Sequence, residues 1–151
     1  MILSKEIAAS IARFAAESYP YECCGALLGT GATVIQAMPL TNSSDEPKER
    51  RFRIRPQDYQ RVEMRAEQEQ LELLGFYHSH PNHPALPSAY DLEHAWPNLI
   101  YAIVSIDSRA LGELTAWLLS EDRSRFERVE IGGEPDANHS LHSHTAAALR
   151  E

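Results

Sequence analysis

Apolar positions in the first forty residues follow a helical pattern and then a strand-like one. A first helix is predicted from Ser4, which can cap it, to about Pro20, which ends it. Two short apolar runs follow at residues 25–29 and 32–40, and the tight turn between them predicts a β-hairpin. The apolar stripe of the helix consists of Ile7, Ile11, Phe14 and Ala15.

A polar loop is predicted for residues 41–50, and strictly alternating residues follow it at positions 51–55. The alternation predicts a strand with Phe52 and Ile54 facing inward and three arginines facing outward. These arginines either protect a sheet edge or dock an acidic protein partner, and both interpretations remain open at this point. The three are Arg51, Arg53 and Arg55.

The second half of the chain combines one long helix with several apolar runs. Pro56 can occupy the first turn of a helix that runs to about Leu74, with Gly75 as its stop. Strands are predicted at residues 99–106, 114–119 and 126–131. Together these elements predict an α/β fold in which helices flank a mixed sheet.

Residues 75–91 concentrate side chains that can bind a metal ion. The residues after the glycine look like the start of a buried strand, and side chains alternate across a strand. His78 and His80 therefore point to the same face, and Ser79 points away from it and supports the strand. Pro81 ends this strand because it cannot donate to a β-ladder.

A short helix is predicted to open at Ser88 and to end at Ala95. Ser88 and Asp91 are three residues apart and share one face of this helix. A carboxylate from the helix and two imidazoles from the strand can converge on one zinc ion, since catalytic zinc sites keep three protein ligands and one water. Ser88 and Asp91 also match a capping box, which is a purely structural alternative.

The run His-x-His, seven residues, then Ser-x-x-Asp resembles the signature of the JAMM (MPN-plus, Mov34/MPN/PAD-1) zinc metalloproteases. That family has an upstream glutamate, matched here by Glu22 in a Glu-Cys-Cys-Gly run similar to that of small stand-alone prokaryotic members. The resemblance extends to about Ile131. It implies one JAMM/MPN domain at residues 1–131, with a curved mixed sheet flanked by helices, as in cytidine deaminases.

The resemblance also implies the chemistry of the site. His78, His80 and Asp91 would hold one Zn²⁺ per chain. Glu22 would act as general base on the attacking water and return the proton to the leaving amine. Ser88 would donate a hydrogen bond to the tetrahedral oxyanion.

Members of this family hydrolyse amide or isopeptide bonds at the C-terminus of ubiquitin-like proteins. Small prokaryotic members are similar to peptidases of sulfur-carrier proteins, which end in Gly-Gly and from which cysteine or a lysine-linked protein is released. The basic patch at residues 48–55, to which Lys48 and Arg50 also contribute, could meet the body of such a carrier. His83 could contact the substrate, although a solvent-facing His83 is the simpler expectation.

Three alternatives remain open: a zinc hydrolase of small amides or peptides, a relative of the DNA-repair-associated RadC proteins, and a non-catalytic MPN interaction module. A net charge of −8 over 151 residues disfavours binding to nucleic acid or anionic membranes. Without an apolar run of about 18 residues or a signal-peptide pattern, we expect a cytoplasmic protein. The oligomeric state stays open, a homodimer included.

Cys23 and Cys24 are adjacent in sequence and have no other cysteine to pair with, so an intrachain disulfide is excluded. They are expected to be small buried residues at a strand start. From Gly132 the composition becomes polar, which predicts a solvated tail at residues 132–151. The histidines of this tail are His139, His142 and His144.

Overall fold

A computed structural model describes residues 1–108 and 110–133 of the chain. This part contains seven strands and three helices. In chain order they are β1 (Ile2–Leu3), α1 (Lys5–Ser18), β2 (Cys24–Thr30), β3 (Thr33–Leu40), α2 (Pro56–Gln68), β4 (Glu72–Pro81), α3 (Ala89–His94), β5 (Ile100–Ile106), β6 (Leu111–Leu119) and β7 (Phe126–Val129).

The strands form one mixed sheet in the order β1-β3-β2-β4-β5-β6-β7. Strand β1 runs parallel to β3, and β4 runs parallel to β5, while the other neighbours are antiparallel. After β7 the chain returns to the opposite edge of the sheet, where Gly132 pairs with Ile2. The sheet is therefore curled, and the predicted α/β fold with a curved mixed sheet is confirmed.

Alternating side chains divide the core between the two faces of the sheet. One face packs on α1 and the other on α2, and each fully buried valine, leucine, isoleucine or phenylalanine side chain stabilises the fold by about 1.5–3 kcal/mol. The α1 side includes Ile11, Ala15, Leu27 and Tyr77. The α2 side includes Val62, Ala66, Leu28 and Phe76. His78 and His80 continue the row of Phe76 along β4 and so belong to the α2 face.

The helix predicted to run to Leu74 is too long, because α2 ends at Gln68. Gln70 adopts a left-handed conformation with φ of 55°, and the chain then enters β4. Gly75 lies inside β4 and does not stop a helix. A Cβ atom at this position would lie 1.9 Å from the carbonyl oxygen of Ile100, so the close pairing of β4 with β5 requires glycine.

Residues 51–55 do not form the predicted strand. The side chain of Asn42 donates to the Arg51 carbonyl at 2.9 Å and accepts from the Arg53 N–H at 3.2 Å. One side chain thus satisfies backbone groups that a neighbouring strand would otherwise bind. Phe52 and Ile54 are partly buried, as their predicted inward orientation requires, and Arg53 and Arg55 are exposed as predicted. Arg51 was also predicted to face outward, but it is partly buried.

Within residues 1–108 and 110–133, none of the helices has the length and apolar character needed to cross a membrane. The tail histidines His139, His142 and His144 lie outside the described residues. The domain boundary at residue 131 and the cytoplasmic location stay predictions.

Candidate metal centre

The two histidines of the site lie near the end of β4, where the sheet positions them. His78 pairs with Cys24 of β2 on one side and with Ile103 of β5 on the other. His78 and His80 are almost completely buried. Ser79 faces the opposite way, and its Oγ accepts the N–H of Cys23 at 2.8 Å. The predicted supporting role of Ser79 is therefore confirmed.

The carboxylate of the site comes from α3, and the start of this helix orients it. Ser88 is the N-cap, and its Oγ accepts the N–H of Asp91 at 3.0 Å. Asp91 Oδ2 accepts the N–H of Ser88 at 2.7 Å and completes a capping box. The capping interpretation of the sequence is thus correct, and the same box holds the Asp91 carboxylate towards the histidines.

Three potential ligands converge at this point. His78 Nε2 and His80 Nε2 are 3.0 Å apart. Asp91 Oδ1 lies 3.4 Å from His78 Nε2, and Asp91 Oδ2 lies 3.4 Å from His80 Nε2. Zinc bonds of about 2.0–2.1 Å at tetrahedral angles place ligand atoms roughly 3.3–3.4 Å apart. The observed separations therefore fit a single zinc ion.

The protonation pattern also favours a cation at this position. His80 Nδ1 lies 2.7 Å from the Pro84 carbonyl, which can only accept, so Nδ1 donates this hydrogen bond and Nε2 is the nitrogen that carries the lone pair in the neutral ring. Burial raises the pKa of Asp91, but His78, His80 and the Ser88 N–H outweigh it and hold this pKa well below its usual range. A lone pair and a carboxylate thus face each other in a buried space, which a bound cation would stabilise.

Glu22 lies beside this group, as predicted, in the connection before β2. It is 3% exposed, and one carboxylate oxygen lies within 4.8 Å of potential ligand atoms of His80 and His83. Burial raises the pKa of Glu22 to about 8. A buried carboxyl group next to a metal centre is suited to proton transfer near neutral pH.

The remaining predicted site residues occupy different surroundings. His83 is partly buried and stacks on His80 with ring centroids 4.1 Å apart, so the solvent-facing expectation is wrong. Arg51 lies 3.3 Å from a carboxylate oxygen of Glu46. The ion pair of Arg55 with Asp58 is 2.9 Å long. Arg53 is exposed and lines the cleft next to His78, His80 and Asp91, which we call the metal group.

That cleft has a volume of about 670 Å³ and includes His78 and Asp91 in its wall. Six phenylalanine, tyrosine and tryptophan residues line it that were not predicted as site residues, among them Phe52, Tyr90 and Trp96. Phe52 stacks on His78 with centroids 4.5 Å apart, and Trp96 is 65% exposed. A large exposed aromatic ring at a cleft is a common feature of binding surfaces, but the sequence alone does not show which ring is exposed.

Both cysteines are buried and free, as expected. Burial raises the pKa of Cys23 to about 11 and that of Cys24 to about 12. Because the thiolate is the reactive form, these thiols are unreactive near neutral pH. They serve as small core residues where β2 begins.

The family follows from a comparison with known domains. Residues 4–120 match the family described as prokaryotic homologs of the JAB domain. The chain belongs to this prokaryotic JAB family. The resemblance to stand-alone prokaryotic JAMM/MPN proteins is thereby confirmed.

Relatives of this JAB-domain chain include two curated proteins. A desampylase of Pyrococcus furiosus is 37% identical over 112 residues, which cover 73% of this chain and 74% of that protein. A desampylase of Haloferax volcanii is 38% identical over 121 residues, or 77% and 84% of the two chains. The solution structure of a Desulfitobacterium hafniense protein superposes with a TM-score of 0.78 at 28% identity, covering 95% of this chain and 100% of that one.

Proposed function

We propose that this JAB-domain protein is a zinc-dependent isopeptidase that hydrolyses an amide bond at the C-terminus of a ubiquitin-like protein. The observation that carries the proposal is the convergence of His78, His80 and Asp91, with the buried Glu22 beside them. The names of the curated relatives support the reaction, because a desampylase releases a ubiquitin-like protein from an isopeptide bond.

His78, His80 and Asp91 would hold the metal, whose ligand set of two imidazoles and one carboxylate leaves a position open to solvent. When bound, zinc supplies a Lewis acid and acidifies a coordinated water towards neutral pH. Glu22 accepts a proton from the attacking water and delivers it to the leaving amine.

Ser88 would stabilise the oxygen of the tetrahedral intermediate. Its Oγ accepts one hydrogen bond from the Asp91 N–H, and a hydroxyl group can still donate its own proton. Loss of one such donor costs on the order of 10²–10³ in rate at comparable sites. The capping role and the proposed catalytic role of Ser88 are therefore compatible.

The cleft beside the metal group is the proposed path of the substrate tail. An extended Gly-Gly terminus lacks side chains and would run through this cleft past Phe52, which stacks on His78. Arg53 is the member of the predicted arginine patch that lines the cleft. We propose that it meets an acidic group of the ubiquitin-like or sulfur-carrier protein, whereas Arg51 and Arg55 hold the enzyme's own carboxylates.

A hydrolysis assay tests this function. The zinc-loaded protein is incubated with a ubiquitin-like protein linked through its Gly-Gly terminus either to a lysine side chain or to cysteine. We expect cleavage of at least one conjugate, its loss with a chelator, and no turnover by Glu22→Gln. Cleavage of short peptide amides alone would favour a small-amide hydrolase, and no cleavage of any substrate would favour a non-catalytic module.

A further inference from the structure

The backbone of Glu22 is held by a loop and not by the sheet. Strand β2 begins only at Cys24, so the ladder does not reach Glu22. The Glu22 N–H donates to the Lys48 carbonyl at 2.7 Å, and the Glu22 carbonyl accepts from Asn42 Nδ2 at 3.1 Å. Both partners belong to residues 42–55, which we call the 42–55 loop.

Both the nitrogen and the oxygen of the Asn42 carboxamide bind backbone groups, and most of these belong to the 42–55 loop. Its Nδ2 donates to the carbonyls of Glu22 and Arg51, the latter at 2.9 Å. Its Oδ1 accepts the N–H groups of Ser44 at 3.1 Å and Arg53 at 3.2 Å. An asparagine has two N–H donors and two lone pairs, so all four are used.

Residues 51–53, whose backbone is bound by Asn42, also lie against the metal group. Phe52 stacks on His78, with ring centroids 4.5 Å apart. The Arg51 guanidinium lies 4.6 Å from the centroid of the Tyr90 ring, and Tyr90 precedes Asp91 on α3. One carboxamide thus joins the backbone of Glu22 to Phe52, which packs on the His78 ring, and to Arg51, which packs on the residue preceding Asp91.

We propose that Asn42 is a positioning residue for the hydrolysis, a role that rests on the proposed function. Its two N–H donors keep Glu22 and the Arg51–Phe52 backbone in one arrangement, so that the Glu22 carboxylate stays beside His80. Without them the Glu22 carbonyl loses its partner and the carboxylate is free to drift. A misplacement of about 1 Å in an active site costs on the order of 10²-fold in rate.

The test compares two substitutions of Asn42 with a matched control. Asn42→Asp keeps the acceptor for Ser44 and Arg53 but removes both N–H donors, and Asn42→Ala removes all four interactions. Ser44→Ala is the control, because Ser44 Oγ accepts the Glu46 N–H at 3.2 Å in the same loop and no hydrogen bond joins Ser44 to Glu22. Zinc content, kcat and KM are measured for each protein, together with amide hydrogen exchange in residues 20–24 and 42–55.

We expect both Asn42 variants to bind one zinc ion per chain and to lose kcat by on the order of 10- to 100-fold. For Asn42→Asp, KM should change by less than about threefold, because Oδ1 still accepts the N–H of Arg53, which lines the cleft. Asn42→Ala loses this acceptor too, so its KM should rise as well as its kcat falling. Exchange should become faster in both segments, whereas Ser44→Ala should keep kcat within about twofold of the wild type.

An Asn42→Asp protein with wild-type kcat would overturn the proposal, and so would a loss of kcat without faster exchange at residues 20–24. A wild type that cleaves no conjugate would instead remove the proposed function and, with it, the catalytic importance of Asn42. The exchange measurements separate these cases, because they report whether Asn42 holds Glu22 even in an inactive protein.

Discussion

Glu22→Gln should stabilise the metal-free protein even though it removes turnover. Glu22 is 3% exposed, and burial raises its pKa from 4.5 to about 8. A charged carboxylate in this position is therefore costly unless a cation is bound beside it. Glutamine has nearly the same shape and no charge, so the substitution removes that cost.

The size of the effect follows from proton binding. Below pH 4.5 the folded and unfolded chains both hold the Glu22 proton, and the raised pKa has no effect on stability. Between pH 4.5 and 8 the unfolded chain releases the proton while the folded chain keeps it, so the free energy of unfolding falls by about 1.4 kcal/mol per pH unit. At pH 7 this proton release has lowered the free energy of unfolding of the wild type by about 3 kcal/mol, and at pH 5 by less than about 1 kcal/mol.

Thermal unfolding in the presence of a chelator measures this difference. We expect Glu22→Gln to melt about 6–12 °C above the wild type at pH 7 and only about 2 °C above it at pH 5. Glu93→Gln is the matched control, because Glu93 is an exposed glutamate of the same cleft, and it should change little at either pH. An equal rise in melting temperature at both pH values, or no rise at pH 7, would show that the raised pKa of Glu22 does not lower the stability of the wild type.

Four further substitutions test other parts of the structure. Arg53→Glu should raise KM for the conjugate several-fold with little change in kcat, whereas Arg55→Glu should lower the melting temperature through its lost ion pair and leave KM nearly unchanged. Gly75→Ala should destabilise the protein by more than about 3 kcal/mol in denaturant titrations, since its Cβ has no space. Phe52→Ala should weaken zinc retention against a competing chelator, because His78 loses the ring that covers it; unchanged retention would argue against that role.

The convergence of His78, His80 and Asp91 could be predicted because its geometry is local. Alternation along one strand places His78 and His80 on the same side, and the capping box sets Asp91 within one turn of Ser88. Both rules act over two or three residues, so the spacing in the sequence carries nearly all of the information. Glu22 could be assigned to the site only through the family resemblance, because no local pattern in the sequence connects it with residues more than fifty positions away.

The elements that were predicted wrongly depend on distant contacts. Gly75 has the usual features of a helix stop, but the carbonyl of Ile100 on the neighbouring strand explains why it is glycine. The alternating residues 51–55 suit a strand, yet their backbone is bound by the side chain of Asn42. Strand β1 has only two residues and pairs with β3, so its pattern is too short to be recognised. The partners in each case are set by the tertiary fold and leave no local signal.

The most direct test of the metal centre is the zinc content of three purified proteins, measured by elemental mass spectrometry after dialysis. We predict about one zinc ion per chain for the wild type and for Glu22→Gln, and almost none for His80→Ala. Full zinc occupancy in His80→Ala, or a wild type that retains no zinc, would contradict the assignment of His78, His80 and Asp91 as a single zinc site.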